Sequence, residues 1–389
     1  MGLNEVIVVI MAVALVIAAL DRAFGNLFKL GEQLEEGINT FGPLALSMVG
    51  MISLAPILAK VLNPVIVPVY TALGADPSMF AGTLLANDMG GFHLAAEMAA
   101  TKEAGLLAGA ILAAMLGCTV VFTIPVGLGI VSEENRPYFA NGVLVGVVTI
   151  PFGVLVGGLV AGFEVGMILV NLVPIIIAAA LIAIGLWKAP QGMTKGFLIF
   201  GKCLVAIISV ALAIGSFEFL TGWQIMPAGW ELVPVTEGLM VVAGICVFLM
   251  GAFPLMYVVT KVANKPLSAF GKALGMNNVA SGGIVMSLAN AIPTFGLMGK
   301  MDKRGVFINT AWSVSAMAIL GDHLGFTAGV ASDMIVPMIV GKFVAAVLAL
   351  VLAYLIAKQR YPAHVASDAK DESLRADNEG KMMGEEDRS

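Results

Sequence analysis

The sequence predicts an all-α, polytopic transmembrane helix bundle of about 9–11 membrane segments, and three observations carry that prediction. Of 389 residues, 59% are hydrophobic and 12% charged, with a mean hydropathy of +0.97. Soluble domains carry about 25% charged residues, so lipid must solvate most of this chain. Apolar runs near the length that crosses a bilayer recur along the sequence. Two of them hold an aspartate in the same Asp-x-x-Gly-Phe pattern, Asp88-Met-Gly-Gly-Phe92 and Asp322-His-Leu-Gly-Phe326.

Each element follows in chain order. The first run, Val6 to Phe24, is long for a signal-peptide core and lacks a basic leader, so it reads as a retained helix. Further spanning runs start near Met79, Gly105, Tyr138, Gly166, Phe197, Val235, Gly305 and Met334. Two runs are dense in helix breakers. Phe41 to Leu62 contains Gly42-Pro43, Gly50 and Pro56, and Val279 to Gly299 contains Gly282-Gly283, Asn290, Pro293 and Gly296. Both are expected as re-entrant or broken helices, because irregular backbone at membrane depth survives only beside protein or a water-filled cavity.

The breaker-rich runs also resemble each other. Asn39, Ser47-Met48 and Pro56 in the first stand much as Asn277, Met286-Ser287 and Pro293 stand in the second. This suggests a weak internal repeat, with units at about 37–100 and 275–330; chance matching of small and apolar residues is the bland alternative. If both runs enter and leave on the cytoplasmic side, then Arg22, Lys29, Lys60, Arg136, Lys188, Lys195, Lys261, Lys265, Lys272, Lys300, Lys303, Arg304, Lys358 and Arg360 fall inside and Lys102 outside, as the positive-inside rule prefers. That assignment makes the repeats parallel. One misplaced span near Pro64 to Gly74 would invert the first.

A membrane domain over 1–357 is followed by a tail, 358–389. From Lys358 to Arg388 the tail carries six Lys or Arg against eight Asp or Glu and has no apolar periodicity, which predicts a disordered cytoplasmic segment. Nothing is basic enough to imply nucleic acid. Cys118, Cys203 and Cys246 are far apart, without metal-ligand spacing, and read as packing residues. The chain has no GxxxxGK[ST], HExxH or Gly-x-Ser-x-Gly pattern, so neither ATP hydrolysis nor a familiar catalytic or metal centre is expected. It is read as a transporter and not an enzyme.

The candidate site rests on intramembrane polar residues. A carboxylate at the bilayer centre costs about 2.5–3.5 kcal/mol on insertion scales, so it normally faces a partner, a cavity or a cation. Asp88 and Asp322 are therefore assigned to compensate a bound cation. His323 titrates near neutrality and could carry a coupling proton; an Asp–His bond between helices is its structural alternative. Asn87 and Asn290 offer amides for a hydroxyl, an ammonium or sodium. His93 and Glu97, one helical turn apart, read as an ordinary contact near the interface. Asn171, before Pro174, reads as helix-packing glue. The bound species is expected to be a small cation. No cofactor or metal is expected, coupling to a proton or to sodium is left open, and a homo-oligomer is allowed.

Several stretches also carry a resemblance: Gly2-Leu-Asn-Glu-Val-Ile-Val8, Pro77-Ser-Met-Phe-Ala-Gly-Thr-Leu-Leu-Ala-Asn-Asp-Met-Gly-Gly-Phe92, Leu320-Gly-Asp-His-Leu-Gly-Phe326 and Val336-Pro-Met-Ile-Val-Gly-Lys342. In this order they closely resemble the ethanolamine permeases of bacterial ethanolamine-utilisation operons, the EutH family, from Met1 to about Leu355. The resemblance implies ethanolamine uptake across the bacterial inner membrane, feeding breakdown to acetaldehyde and ammonia. It brings no site residues with it. The alternatives are a secondary transporter of another small polar solute, such as a nucleoside or a carboxylate, and a membrane-embedded enzyme or scaffold.

Overall fold

The computed structural model describes residues 2–361, so the tail beyond Tyr361 lies outside the described residues. Every regular element among them is helical. α1 (Leu3–Ala23) turns back into α2 (Leu30–Asn39), with Asp21 accepting the backbone N–H groups of Phe28 and Leu30 at the corner. α3 (Phe41–Ala72) then continues without a break past Pro56, Pro64 and Pro68. The hairpin expected over Phe41 to Leu62 is therefore not formed. Membrane helices keep internal prolines when protein packs around them, and α3 buries Met48, Val49, Met51, Ile52 and Ala55 within the bundle.

The first hairpin lies one segment later, where a spanning run from Met79 was expected. α4 (Ser78–Leu84) and α5 (Gly91–Met98) flank a single 3-10 turn, Asn87–Met89. Gly90 leaves that turn at φ +90°, and a Cβ there would run into the Met51 side chain. Asp76 latches the base: Oδ1 accepts Ser78 N–H at 2.9 Å and Oδ2 accepts Ala100 N–H at 3.0 Å. Residues 76 and 100 are thus neighbours, and the segment enters and leaves at one end of the bundle.

A buried span follows. It comprises α6 (Lys102–Leu106), π-helical stretches at Leu107–Gly117 and Thr119–Thr123, and α7 (Ile124–Ile130), with every residue from Leu107 to Gly117 buried. α8 (Arg136–Val160), α9 (Val165–Lys188), α10 (Pro190–Thr221) and α11 (Val235–Ala273) are long apolar helices.

The second hairpin, α12 (Asn278–Ser287) and α13 (Ala291–Leu297), falls where the sequence placed it. Its base is latched in the same manner, with Asn277 N–H donating to Asp302 Oδ1 and Asn277 Nδ2 to Lys300 O, each at 3.0 Å. α14 (Lys303–Ala316) and α15 (Asp322–Val330) are the two pieces of one interrupted crossing, and α16 (Ile335–Arg360) ends the described chain. Among the described residues eight helices are long and apolar enough to cross a membrane. The two hairpins and the α14–α15 crossing complete an all-α polytopic bundle.

The hairpins enter from opposite ends. At one end, Asn4 bonds Asp333 O and Val336 N–H, and residues 99–102 at the base of the first hairpin share a groove with residues 330–334. At the other, Arg304 donates to Leu274 O and Tyr361 O beside the base of the second hairpin. The full length of α16 separates the two ends. This overturns the parallel arrangement drawn from charge, because the first re-entrant segment is α4–α5 and not the run from Phe41. It also moves Lys60, which donates to Gly229 O in the loop before α11, to the end that carries Lys102.

Candidate functional site

The two hairpin tips meet inside the bundle, against the interruptions in two crossing segments. Ala86, Asp88 and Met89 from the first tip, Asn290 from the second, Cys118 and Phe122 from the π-helical span, and Met317, Ala318, Asp322 and His323 from the α14–α15 break line one cavity. Its volume is about 30 Å³, room for about two waters.

The backbone at this junction is irregular but satisfied. Between α14 and α15 the chain unwinds, and Ala318 takes φ +56°, a strained value for a residue with a side chain. The exposed amides do not stay unpaired: Ala318 N–H donates to Ser287 O and Leu320 N–H to Leu288 O, both at 3.0 Å, so the second tip stands in for the missing helical turn. Gly321 makes this approach possible, since a Cβ would collide with the Ala289 carbonyl oxygen. Gly117 plays the corresponding part at the first tip, where a Cβ would meet the Leu85 oxygen. Trp312 Nε1 to Ile284 O and Asn309 Nδ2 to Ala280 O hold the second hairpin along α14.

Four of the five residues assigned from sequence reach the cavity: Asp88, Asn290, Asp322 and His323. Neither carboxylate is ion-paired among the described residues, and both line the same small cavity. Asn290 caps α13 by accepting Ile292 N–H through Oδ1 at 2.8 Å, which leaves its Nδ2 free to donate. Asn87 is fully buried directly before Asp88, and neither amide atom has a hydrogen-bond partner. It does not line the cavity. Buried amides are seldom left unsatisfied, so this one marks polar capacity in reserve beside the first tip.

Residues read as structural hold the frame. Asn171 Oδ1 accepts Asp76 N–H at 2.7 Å, fixing the first hairpin's base to α9. His93 stacks edge-on with Phe92 and its Nε2 has no partner, while Glu97 points to the exterior, so that pair does not form.

One residue at the site was not singled out from sequence as a site residue. Lys342 of α16 is fully buried, and its Nζ donates to Ala114 O at 2.6 Å and lies 2.6 Å from His323 Nδ1. With the lysine charged and therefore only a donor, Nδ1 is the acceptor and the imidazole proton sits on Nε2. The available signal was a lysine inside an apolar helix, which carries the same cost as an intramembrane aspartate.

Comparisons with known proteins agree with one another. The profile of the family described as "Ethanolamine utilisation protein, EutH" matches residues 3–356. A protein of Listeria monocytogenes named "Probable ethanolamine permease EutH" is 57% identical over 337 residues, covering 87% of this chain and 90% of the relative. One of the same name from Escherichia coli is 47% identical over 372 residues, covering 87% and 91%. A Bacillus subtilis protein, "Uncharacterized protein YxeR", is 46% identical over 334 residues, covering 86% and 90%. No solved structure matches.

Proposed function

The chain belongs to the EutH ethanolamine-utilisation family, and from that premise we propose that it is a permease carrying ethanolamine into the bacterial cytoplasm, with the substrate ammonium held between Asp88 and Asp322. The observation that carries this reading is the convergence of two unpaired carboxylates from different segments on one cavity inside an apolar bundle. Such a site favours a cation and repels a carboxylate substrate. The Nδ2 of Asn290, and Asn87 once the tips part, would serve the hydroxyl. The present cavity is smaller than ethanolamine needs, so binding requires the tips to move apart; hairpins entering from opposite ends offer one gate to each side.

Charge supports an orientation. Arg22, Arg136, Lys188, Lys195, Lys300, Lys303, Arg304, Lys358 and Arg360 gather at the end of the second hairpin's base, against Lys60 and Lys102 at the other. The richer end is assigned to the cytoplasm, in the inner membrane.

The substrate's chemistry explains the need for a carrier. A primary amine titrates near the lysine value of about 10, so ethanolamine is almost wholly cationic at neutral pH and crosses hydrocarbon poorly. Its neutral fraction grows about tenfold for each pH unit below that value as the medium becomes more alkaline. Uptake into proteoliposomes should therefore be saturable, competed by unlabelled ethanolamine, and stand furthest above protein-free vesicles near pH 6. An advantage that stays constant from acid to alkaline medium, or uptake competed equally by nucleosides, would contradict the reading.

A further inference from the structure

The permease reading leaves one buried charge unused. Lys342 stands about two turns into α16 and is fully buried. The helix is fixed closely to α8: a Cβ on Gly341 would stand 2.7 Å from Gly153 O, and one on Gly153 would stand 2.5 Å from Gly341 O. Lysines are almost never buried unless paired, yet no carboxylate among the described residues lies within ion-pairing distance of Nζ. Its direct partners are the Ala114 oxygen and His323 Nδ1, while Asp88 is near enough for their charges to interact.

The titratable groups around it are few. Asp88 faces it from the first tip, Cys118 from the π-helical span, and Asp322 and His323 from the start of α15. The charged residues of the other helices packed on α16 stand at their ends: Arg136 on α8, Lys303 and Arg304 on α14, and Glu5, Asp21 and Arg22 on α1.

We propose that Lys342 is the resident cation of the site: it offsets one of the two carboxylate charges through space and leaves a net single negative charge, which fits the site to one monovalent ammonium with no accompanying sodium or proton. This inference rests on the permease reading and deepens it. Being bonded to Ala114 O and His323, the lysine adds charge without occupying the carboxylate oxygens, which stay available to the substrate. Loaded, the site is neutral and suited to crossing the apolar layer. Each ethanolamine then carries one charge, and a membrane potential alone drives uptake.

The test is labelled ethanolamine uptake into proteoliposomes under an inside-negative potassium diffusion potential, without sodium and without a pH gradient. Wild type should accumulate substrate with one charge moved per molecule. Lys342→Met should lose about tenfold or more of that uptake and recover part of it when sodium or an inward proton gradient supplies the second cation. The double variant Lys342→Met/Asp88→Asn restores the charge balance and should exceed Lys342→Met in ion-independent uptake. Wild-type uptake that requires sodium or a proton gradient overturns the inference and leaves the permease reading standing, as does Lys342→Met transport equal to wild type. No uptake by wild type under any gradient overturns the permease reading itself. If Lys342→Met is folded but inactive, ethanolamine-induced thermal stabilisation in detergent decides. Stabilisation that appears only with added sodium or at lower pH supports the charge balance; none under any condition, or the wild-type response, contradicts it. If the single variant does not fold, the double variant is compared with Asp88→Asn alone, which lacks the same carboxylate: higher ion-independent uptake by the double variant supports the balance, and equal or lower uptake by a folded double variant contradicts it.

Discussion

At the scale of residues, the proposed chemistry rests on side chains that an apolar sequence cannot hide. Asp88 and Asp322 were legible because a carboxylate in a long apolar run is costly enough to demand a reason, and Asn290 because an amide preceding a proline sits where backbone is freed. Lys342 obeyed the same rule but sat in a run that otherwise reads as a plain terminal helix, and its partners, Ala114 O and His323, are remote in sequence. Glycines were harder still. Gly321 looks like any small membrane residue, yet a Cβ there would collide with the Ala289 carbonyl of the second tip. Gly321→Ala should lower stability by about 1–3 kcal/mol through forced backbone displacement and abolish most uptake. Gly244→Ala, with nothing within 4 Å of the added methyl, should match wild type in melting temperature and transport; equal behaviour of the two variants would remove the packing argument.

At the scale of elements, breaker density was a fair guide to one hairpin and a poor one to the other. Val279 to Gly299 folds back as expected, whereas Phe41 to Leu62 stays in the helix α3 and the true first hairpin carries Asp88 at its tip. The two Asp-x-x-Gly-Phe motifs consequently do different jobs. One forms a re-entrant tip, and the other restarts a crossing helix after an unwound turn. Local sequence could not separate them, because the decision lies in what each segment packs against. The latches at the hairpin bases are equally invisible without contacts between distant residues. Asp76→Ala removes the acceptor of the part-buried Ser78 N–H and of the exposed Ala100 N–H; the first, shielded from water, carries most of a cost of about 1–3 kcal/mol. It should lower the melting temperature of the detergent-solubilised protein while leaving Asp302→Ala to weaken the other hairpin independently. An unchanged melting temperature in both would show that the latches do not hold the tips.

At the scale of the whole molecule, composition was enough to give a polytopic helical bundle, but it could not give the direction of its parts. Charge counting favoured parallel hairpins because a single reassigned segment reverses the first half. The inverted arrangement instead puts the tips at a shared cavity from opposite ends, the geometry that alternating access requires. It predicts which loops face which side. In a Cys203→Ser background on intact cells, a membrane-impermeant maleimide should label Lys102→Cys and spare Lys303→Cys until the membrane is opened. The reverse pattern would reverse the assigned orientation, and labelling of both from outside would contradict the opposed ends.

The central claim is that two carboxylates from two separate segments hold one ammonium, and equilibrium binding of labelled ethanolamine to the purified protein tests it most directly. With wild type beside Asp88→Asn and Asp322→Asn, each shown to be folded, both substitutions should weaken binding by about tenfold or more, the effect of losing roughly 1.4 kcal/mol of charge compensation. Wild-type affinity in either variant would mean that its carboxylate does not touch the substrate, and would contradict the shared site.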